Sequence, residues 1–183
     1  MPGLRSPEEL LSNELKAIHS AERQLSRALP RLKKQVSSEA LAGMLDTRVE
    51  QGETLIEEIE AILEEMETTK GRPKNLAAEG LIEDLAQQIE RVEDEKLIDP
   101  VLLASVQKVE HYCIAAWGTA AAMGRLLEAP RVVKTMERVL GEGKKFDEEM
   151  TKLAEAEVNP AMLSEEEEEE APRSGRKSGT KSR

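Results

Sequence analysis

Aromatic residues are almost absent from this sequence of 183 residues, which contains one Tyr, one Trp and one Phe. β-Sandwiches and barrels rely on aromatic and β-branched residues. Leu, Ala, Glu, Lys, Arg, Gln and Met dominate here, and these are good helix formers. The single cysteine, Cys113, excludes an internal disulfide and fits a reducing compartment. We therefore expect an all-α protein.

Long hydrophobic runs are also missing. No run approaches the roughly 18 apolar residues that a membrane span needs, and the first residues, MPGLRSPEELL, lack the apolar core of a signal peptide. We expect a soluble, cytoplasmic protein that does not bind membranes. The formal net charge of −11 argues against nucleic acid as a partner of the folded part, because phosphate binding needs a basic surface.

The first helix has a defined start, with Ser6 as N-cap, Pro7 at the first helical position and Glu9 as the capping-box partner. Its apolar residues then recur in steps of three and four, as in a bundle-forming helix. One position of this stripe is occupied by Glu22. A carboxylate on an apolar face must be paired there, because burying it alone is costly.

Three more long amphipathic helices and one short helix follow. A second helix is predicted from near Ser38 to Met66, and a linker follows over 68–75. A short helix is predicted from 76 to about 92. A long helix then begins at Asp99-Pro100, and a last helix runs from Pro130 to Asn159-Pro160. The crossover over 68–99 is long enough to traverse a bundle from end to end. This pattern predicts a ferritin-like four-helix bundle in up-down-down-up order, with a short extra helix in the crossover.

The chain divides into a predicted bundle domain over 1–163 and a charged tail over 164–183. Six acids, Glu165 to Glu170, are followed by a basic stretch from Arg173 to Arg183. Such blocks do not bury apolar surface, so we expect the tail to be disordered. Its role is left open between a solubilising spacer and a weak contact of the basic end with nucleic acid or another partner.

Four strings carry a resemblance to a known family: HSAERQLSRALPRL (19–32), GLIEDL (80–85), QKVEHYCIAAWGT (107–119) and KKFDEEMTKLA (144–154). They resemble the YciE/YciF group of bacterial ferritin-like proteins over roughly residues 6–160. The resemblance implies a ferritin-like bundle, usually a homodimer, linked to stress responses. Members of the group look like relatives of di-iron and di-manganese carboxylate proteins, although their biochemical activity is not established.

A di-metal site in such a bundle needs inward carboxylates from all four helices and normally two histidines. At 100° per residue, Glu22, Gly52, Cys113 and Gly143 are central on the four long helices. Near these positions lie Arg48, Glu110, Trp117 and Asp147. Gln51 and His19 are lateral, Glu50 and Glu53 face mostly outward, and His111 points nearly opposite to the interior.

The resemblance implies that relatives carry histidine where this chain has Arg48, and glutamate where it has Gln51, Cys113 and Gly143. Three carboxylates remain, and they would repel one another in a dry interior. Arg48 could neutralise them, because a guanidinium is always charged and bonds carboxylates bidentately. We therefore expect a structural cluster in which Arg48 bonds Glu22, Glu110 or both, with no cofactor.

The alternative is a metal-binding oxidoreductase or iron-handling protein that holds iron or manganese. Its ligands would be Glu22, Glu110 and Asp147, with His19, Glu50 and Glu53 as weaker candidates. The sequence does not decide whether the protein is an enzyme. Cys113 is interpreted as a small core residue rather than a nucleophile, and His111 as a surface or dimer-contact residue rather than a ligand.

Overall fold

A computed structural model describes residues 3–68 and 73–163, and this part of the chain is helical and contains no strand. The prediction of an all-α helical bundle is confirmed. The five main helices are α1 (Pro7–Leu32), α2 (Glu39–Glu65), α3 (Leu76–Glu90), α4 (Ile98–Leu126) and α5 (Pro130–Leu153). Short 3₁₀ turns follow α1 (Lys33–Gln35) and precede α4 (Glu95–Leu97). The predicted tail over 164–183 and Gly71 of the predicted linker lie outside the described residues.

The first helix begins at the predicted N-cap. The hydroxyl of Ser6 accepts a hydrogen bond from the backbone N–H of Glu9 at 3.2 Å. The second hydrogen bond of the predicted capping box differs from the usual one. The Glu9 carboxylate accepts from the N–H of Arg5 at 2.7 Å rather than from that of Ser6. The carboxylate thus reaches one residue further back, and it still satisfies a free donor at the helix start.

The last helix ends slightly later than predicted. After α5, a π-helical segment (Ala154–Val158) leads into α6 (Asn159–Ala161). The prediction that Asn159-Pro160 ends the helix is therefore corrected to Ala161. Pro160 lies at the start of α6, directly after the π-helical segment.

The directions of the helices follow from their end-to-end contacts. Arg131 at the start of α5 pairs with Glu65 at the end of α2, and Ser38 at the start of α2 donates to Glu157 beyond the end of α5 at 2.6 Å. α2 and α5 are therefore antiparallel. Asp99 at the start of α4 accepts from the N–H groups of residues 37 and 38, so the chain crosses the full length of the bundle between α2 and α4.

The crossover is attached to α1 and α4 through Asn75. Its Oδ1 accepts from the N–H of Ala78 at 3.0 Å and caps α3. Its Nδ2 donates to the carbonyl of Ala17 at 2.9 Å and to the hydroxyl of Tyr112 at 2.7 Å. This one buried side chain therefore fixes the start of α3 against two helices of the bundle.

The core is aliphatic and runs along the bundle axis. Its fully buried side chains include Leu15, Leu45, Ile59, Leu102 and Met136. Among the described residues, no helix is both long enough and apolar enough to cross a bilayer. A polar cluster interrupts this apolar core at mid-height, where the predicted site residues lie.

Candidate functional site: a buried arginine–carboxylate cluster

Arg48 lies in the middle of α2 and bonds both central glutamates. Its Nη1 and Nη2 donate to Oε2 and Oε1 of Glu22 at 3.0 and 3.1 Å, a bidentate pair. Its Nε donates to Oε2 of Glu110 at 2.7 Å. The relative exposures of Arg48, Glu22 and Glu110 are 3%, 0% and 2%. One guanidinium therefore joins α1, α2 and α4 in the dry centre of the bundle.

The helical repeat brings these three side chains together. Glu22 occupies a core position of the α1 stripe, between Ile18 and Leu25. Gly52, one turn after Arg48, leaves the space that the ion pair occupies. A Cβ atom at position 52 would lie 2.9 Å from Glu22 Oε2 and 3.1 Å from Arg48 Nη1. Any larger residue at this position would displace the pair.

Trp117 and Gly143 close the other side of the cluster. The guanidinium carbon of Arg48 lies 5.4 Å from the centroid of the Trp117 ring, within cation–π range. The ring in turn packs over Gly143, where a Cβ atom would clash with it and would lie 2.7 Å from Glu110 Oε1. The aromatic ring thus fills the space above Gly143 on α5.

The cluster has one positive and up to two negative charges. Burial disfavours the charged form of Arg48, but attraction to Glu22 and Glu110 outweighs it and holds the arginine pKa well above its ordinary value. The pKa of Glu110 is raised, chiefly by burial and also by the negative charges of Glu22 and Asp147, although Arg48 acts to lower it. The Oε1 atom of Glu110 is buried without a hydrogen-bond partner among the described residues. Glu110 therefore binds a proton more readily than an exposed glutamate does.

Cys113 lies beside the cluster as a free, buried thiol. Burial, followed by the negative charge of Glu22, raises its pKa well above the ordinary value. The thiolate is the nucleophilic form. A thiol held protonated in this way is a core side chain.

The other candidate ligands do not join the cluster. Asp147 accepts from Gln107 at 3.1 Å and lies 3.2 Å from Nε2 of the largely exposed His111. His19 pairs with Glu60 on α2 at 2.9 Å. Glu50 and Glu53 are exposed on α2. Among the predicted metal ligands, the structure brings only Glu22 and Glu110 together.

The residues present do not fit a di-metal centre. Within residues 3–68 and 73–163, no group of three or more His, Cys, Asp or Glu side chains is arranged to hold a metal ion. Three of the four carboxylate oxygens of Glu22 and Glu110 already accept from Arg48. A metal placed between them would face a fixed positive charge at close range.

Two features of the site were not anticipated from the sequence. One is the stacking of Trp117 on Arg48, and the other is the use of Gly52 and Gly143 to make room for large side chains. Both glycines were recognised as central on their helices. The signal that could have revealed their role is the presence of a large or charged residue at the matching level of the facing helix.

Comparisons with known proteins agree with this architecture. The family described as Domain of unknown function (DUF892) matches residues 6–163. Protein YciF of Escherichia coli (strain K12) is 36% identical over 157 residues, which cover 85% of this chain and 95% of YciF. The crystal structure of the E. coli stress protein YciF matches with a TM-score of 0.80, covering 85% of this chain and 99% of that one.

A second solved structure, YcfI from Rhodopseudomonas palustris, matches with a TM-score of 0.77 at 26% identity, covering 80% of this chain and 94% of that one. The family match over residues 6–163 includes the four long helices. The resemblance seen in the sequence is confirmed. The chain belongs to the DUF892 family and is related to YciF over nearly the whole of its helical bundle.

Proposed function

We propose that this protein is a non-enzymatic, stress-associated bundle protein of the ferritin-like type, in which a buried arginine–carboxylate cluster takes the place of a di-metal site. The association with stress comes from its relative, which is described as the E. coli stress protein YciF. The protein is expected to act in the cytoplasm, which suits a free thiol such as Cys113. It is expected to act as a homodimer.

One observation carries the proposal. The guanidinium of Arg48 lies between two carboxylates from different helices and pairs with both of them. A catalytic di-iron or di-manganese centre requires oxygen and imidazole ligands that are free to bind the ions. Here the charge that a metal pair would supply comes from the protein itself, and no open coordination position remains beside Glu22.

Elemental analysis tests the proposal directly. Freshly purified protein, and protein incubated with Fe²⁺ or Mn²⁺ under argon and then desalted, should contain far less than one metal ion per chain. About two ions per chain would instead support the alternative of a di-iron or di-manganese carboxylate protein. Light scattering in the same buffer should give twice the chain mass of 20.3 kDa if the homodimer is correct.

A designed gain of metal binding gives the complementary test. Arg48→His and Gly143→Glu would supply two missing ligands, but the ring of Trp117 occupies the space beside Gly143. The informative variant is therefore Arg48→His/Gly143→Glu/Trp117→Ala, with Trp117→Ala alone as the matched control. The triple variant should retain Mn²⁺ through desalting and the control should not. Equal retention by both proteins would contradict the idea that Arg48 and Gly143 prevent metal binding.

A further inference from the structure

Within the described residues of this acidic protein, one stretch of the chain is rich in positive charge. Between Leu15 and Ser38 the sequence contains a single acid, Glu22, and that residue is buried in the cluster. The same stretch contains six cationic residues, namely Lys16, Arg23, Arg27, Arg31, Lys33 and Lys34. In a chain with a net charge of −11, this stretch of α1 and the turn that follows it is a local exception.

Part of this basic surface forms a groove between α1 and the segment that leads into α3. The groove has a volume of about 270 Å³, and its basic residues are Lys16, His19, Arg23, Arg27 and Lys74. None of the described residues that line it is acidic, and none is Phe, Tyr or Trp. We call this feature the basic groove.

The charges of the basic groove are only partly compensated. His19 and Arg23 share Glu60, at 2.9 and 4.0 Å, and Lys74 pairs with Glu79. Lys16 donates to the hydroxyl of Thr68 at 2.9 Å. Among the described residues, four cations (Lys16, Arg23, Arg27 and Lys74) therefore face the carboxylates of Glu60 and Glu79, an excess of two positive charges. The exposed side chain of Arg27 has no ion-pair partner among the described residues.

We propose that the basic groove binds the phosphate chain of a small phosphorylated ligand. Arg23 and Arg27 are one helical turn apart and about 6 Å along the axis, so two guanidinium groups can engage neighbouring phosphates bidentately. Lys74 approaches from the opposite wall. The volume is slightly below the range typical of ligand pockets, which suits a triphosphate chain rather than a whole cofactor.

The residues that line the basic groove also indicate which part of a nucleotide it does not recognise. Nucleobases are held in proteins by stacking on aromatic rings. The groove has no Phe, Tyr or Trp, and its one ring, that of His19, is held by Glu60 at 2.9 Å. Affinity should therefore come mainly from the phosphates. Inorganic tripolyphosphate and ATP should bind with affinities within about threefold of each other, and both should weaken as salt is raised.

Calorimetric titration of the full chain with tripolyphosphate, and separately with ATP, tests the proposal. Arg23→Gln/Arg27→Gln should lower the affinity at least tenfold. Lys144→Gln/Lys145→Gln removes the same charge from exposed positions on α5 and should leave the affinity unchanged. Circular dichroism should show that both double variants remain folded, because all four substituted side chains lie on the outer surfaces of their helices.

Three results would overturn the proposal. The first is no heat of binding at millimolar tripolyphosphate in low salt. The second is an equal loss of affinity in the α5 control, which would mean that binding depends on overall charge and not on the groove. The third is much tighter binding of a single-stranded oligonucleotide that depends on Arg31 and Lys34, since these residues lie outside the groove and would indicate a macromolecular surface.

Discussion

At the scale of single residues, Arg48 connects the polar side chains at the centre of the bundle. Its guanidinium makes three hydrogen bonds to two glutamates and lies over the ring of Trp117. Neither glutamate contacts bulk water, because their exposures are 0% and 2%. Loss of Arg48 should therefore lower the stability of the protein far more than loss of one partner of an exposed ion pair, since exposed pairs contribute about 0–1 kcal/mol.

Replacing Arg48 by Met should lower the free energy of unfolding by about 3–5 kcal/mol, because two buried carboxylates lose their counter-charge. Urea unfolding at pH 7 measures the change. Arg48→Met/Glu22→Gln/Glu110→Gln removes the carboxylates as well and should recover part of the loss. If the single variant were as stable as the wild type, the bonds of Arg48 would not be important to the fold.

The raised pKa of Glu110 predicts how the stability of the protein changes with pH. Its pKa is raised above the ordinary value of 4.5, mainly by burial. The folded protein therefore keeps this proton to higher pH than the unfolded chain does. Its contribution to stability is complete below pH 4.5 and declines as pH rises through the raised pKa, by up to about 1.4 kcal/mol per pH unit.

Glu110→Gln has no such proton to lose. The difference in unfolding free energy between wild type and this variant should be largest in favour of the wild type near pH 4.5, and should decrease toward pH 8. Urea denaturation at several pH values checks this. Glu83→Gln, on the exposed face of α3, is the control and should give a difference that does not change across the range. A constant difference for Glu110→Gln as well would show that the proton is not held more tightly in the folded state.

At the scale of helices, the chain ends α2 and α4 in the same way. Glu67 and Glu128 have positive φ angles of 50° and 53°. The N–H groups of Thr68 and Ala129 donate five residues back, to Leu63 and Gly124. These are Schellman motifs, in which glycine is the usual residue at the left-handed position. Both glutamates therefore hold a backbone conformation that costs about 1–2 kcal/mol for a residue with a Cβ atom.

Glu128→Gly should raise the free energy of unfolding by about 1 kcal/mol, because glycine adopts a positive φ without that steric cost. Thermal or urea unfolding measures the gain. The same substitution in mid-helix, Glu83→Gly in α3, should instead lower stability by about 1 kcal/mol. A loss in both variants would mean that the conformation at position 128 is not the limiting feature of the turn.

The helices were largely predictable from the sequence, whereas the contacts of the crossover were not. Stripes of apolar residues and N-caps at Ser6 and Ser38 are local signals, and the structure has helices where these signals occur. Asn75 was recognised only as part of a linker. Its bonds to Ala17 and Tyr112 join residues 58 and 37 positions apart, and periodicity within one segment carries no information about such partners.

At the scale of the whole molecule, the helix order was predictable because a crossover of this length can span the bundle. The candidate site was predictable in part. Helical phase placed Glu22, Arg48 and Glu110 inside, but could not show that Asp147 bonds Gln107 and lies beside His111 instead. Helical phase gives the direction in which a side chain points. Its bonding partner depends on the rotamers of side chains on the facing helices, which the sequence does not specify.

The intact bundle should not depend on a metal ion for its stability. Its core is aliphatic, and the charge at its centre is neutralised by Arg48. Treatment with EDTA followed by desalting should therefore leave the thermal midpoint unchanged to within about 1 °C, as structural metals are the ones whose removal unfolds a protein. Differential scanning calorimetry checks this. A fall of many degrees that Mn²⁺ or Fe²⁺ reverses would reveal a structural metal.

The packing of Trp117 over Gly143 constrains how this chain can change by mutation. A glutamate at 143 clashes with the ring, loss of the ring alone leaves a cavity, and loss of Arg48 alone leaves two buried carboxylates unpaired. Each single step toward a metal-binding interior is therefore disfavoured, although the steps can be compatible together. Such positions show strong epistasis. The residues at positions 48, 117 and 143 are therefore coupled, and homologues should show these positions changing as a group.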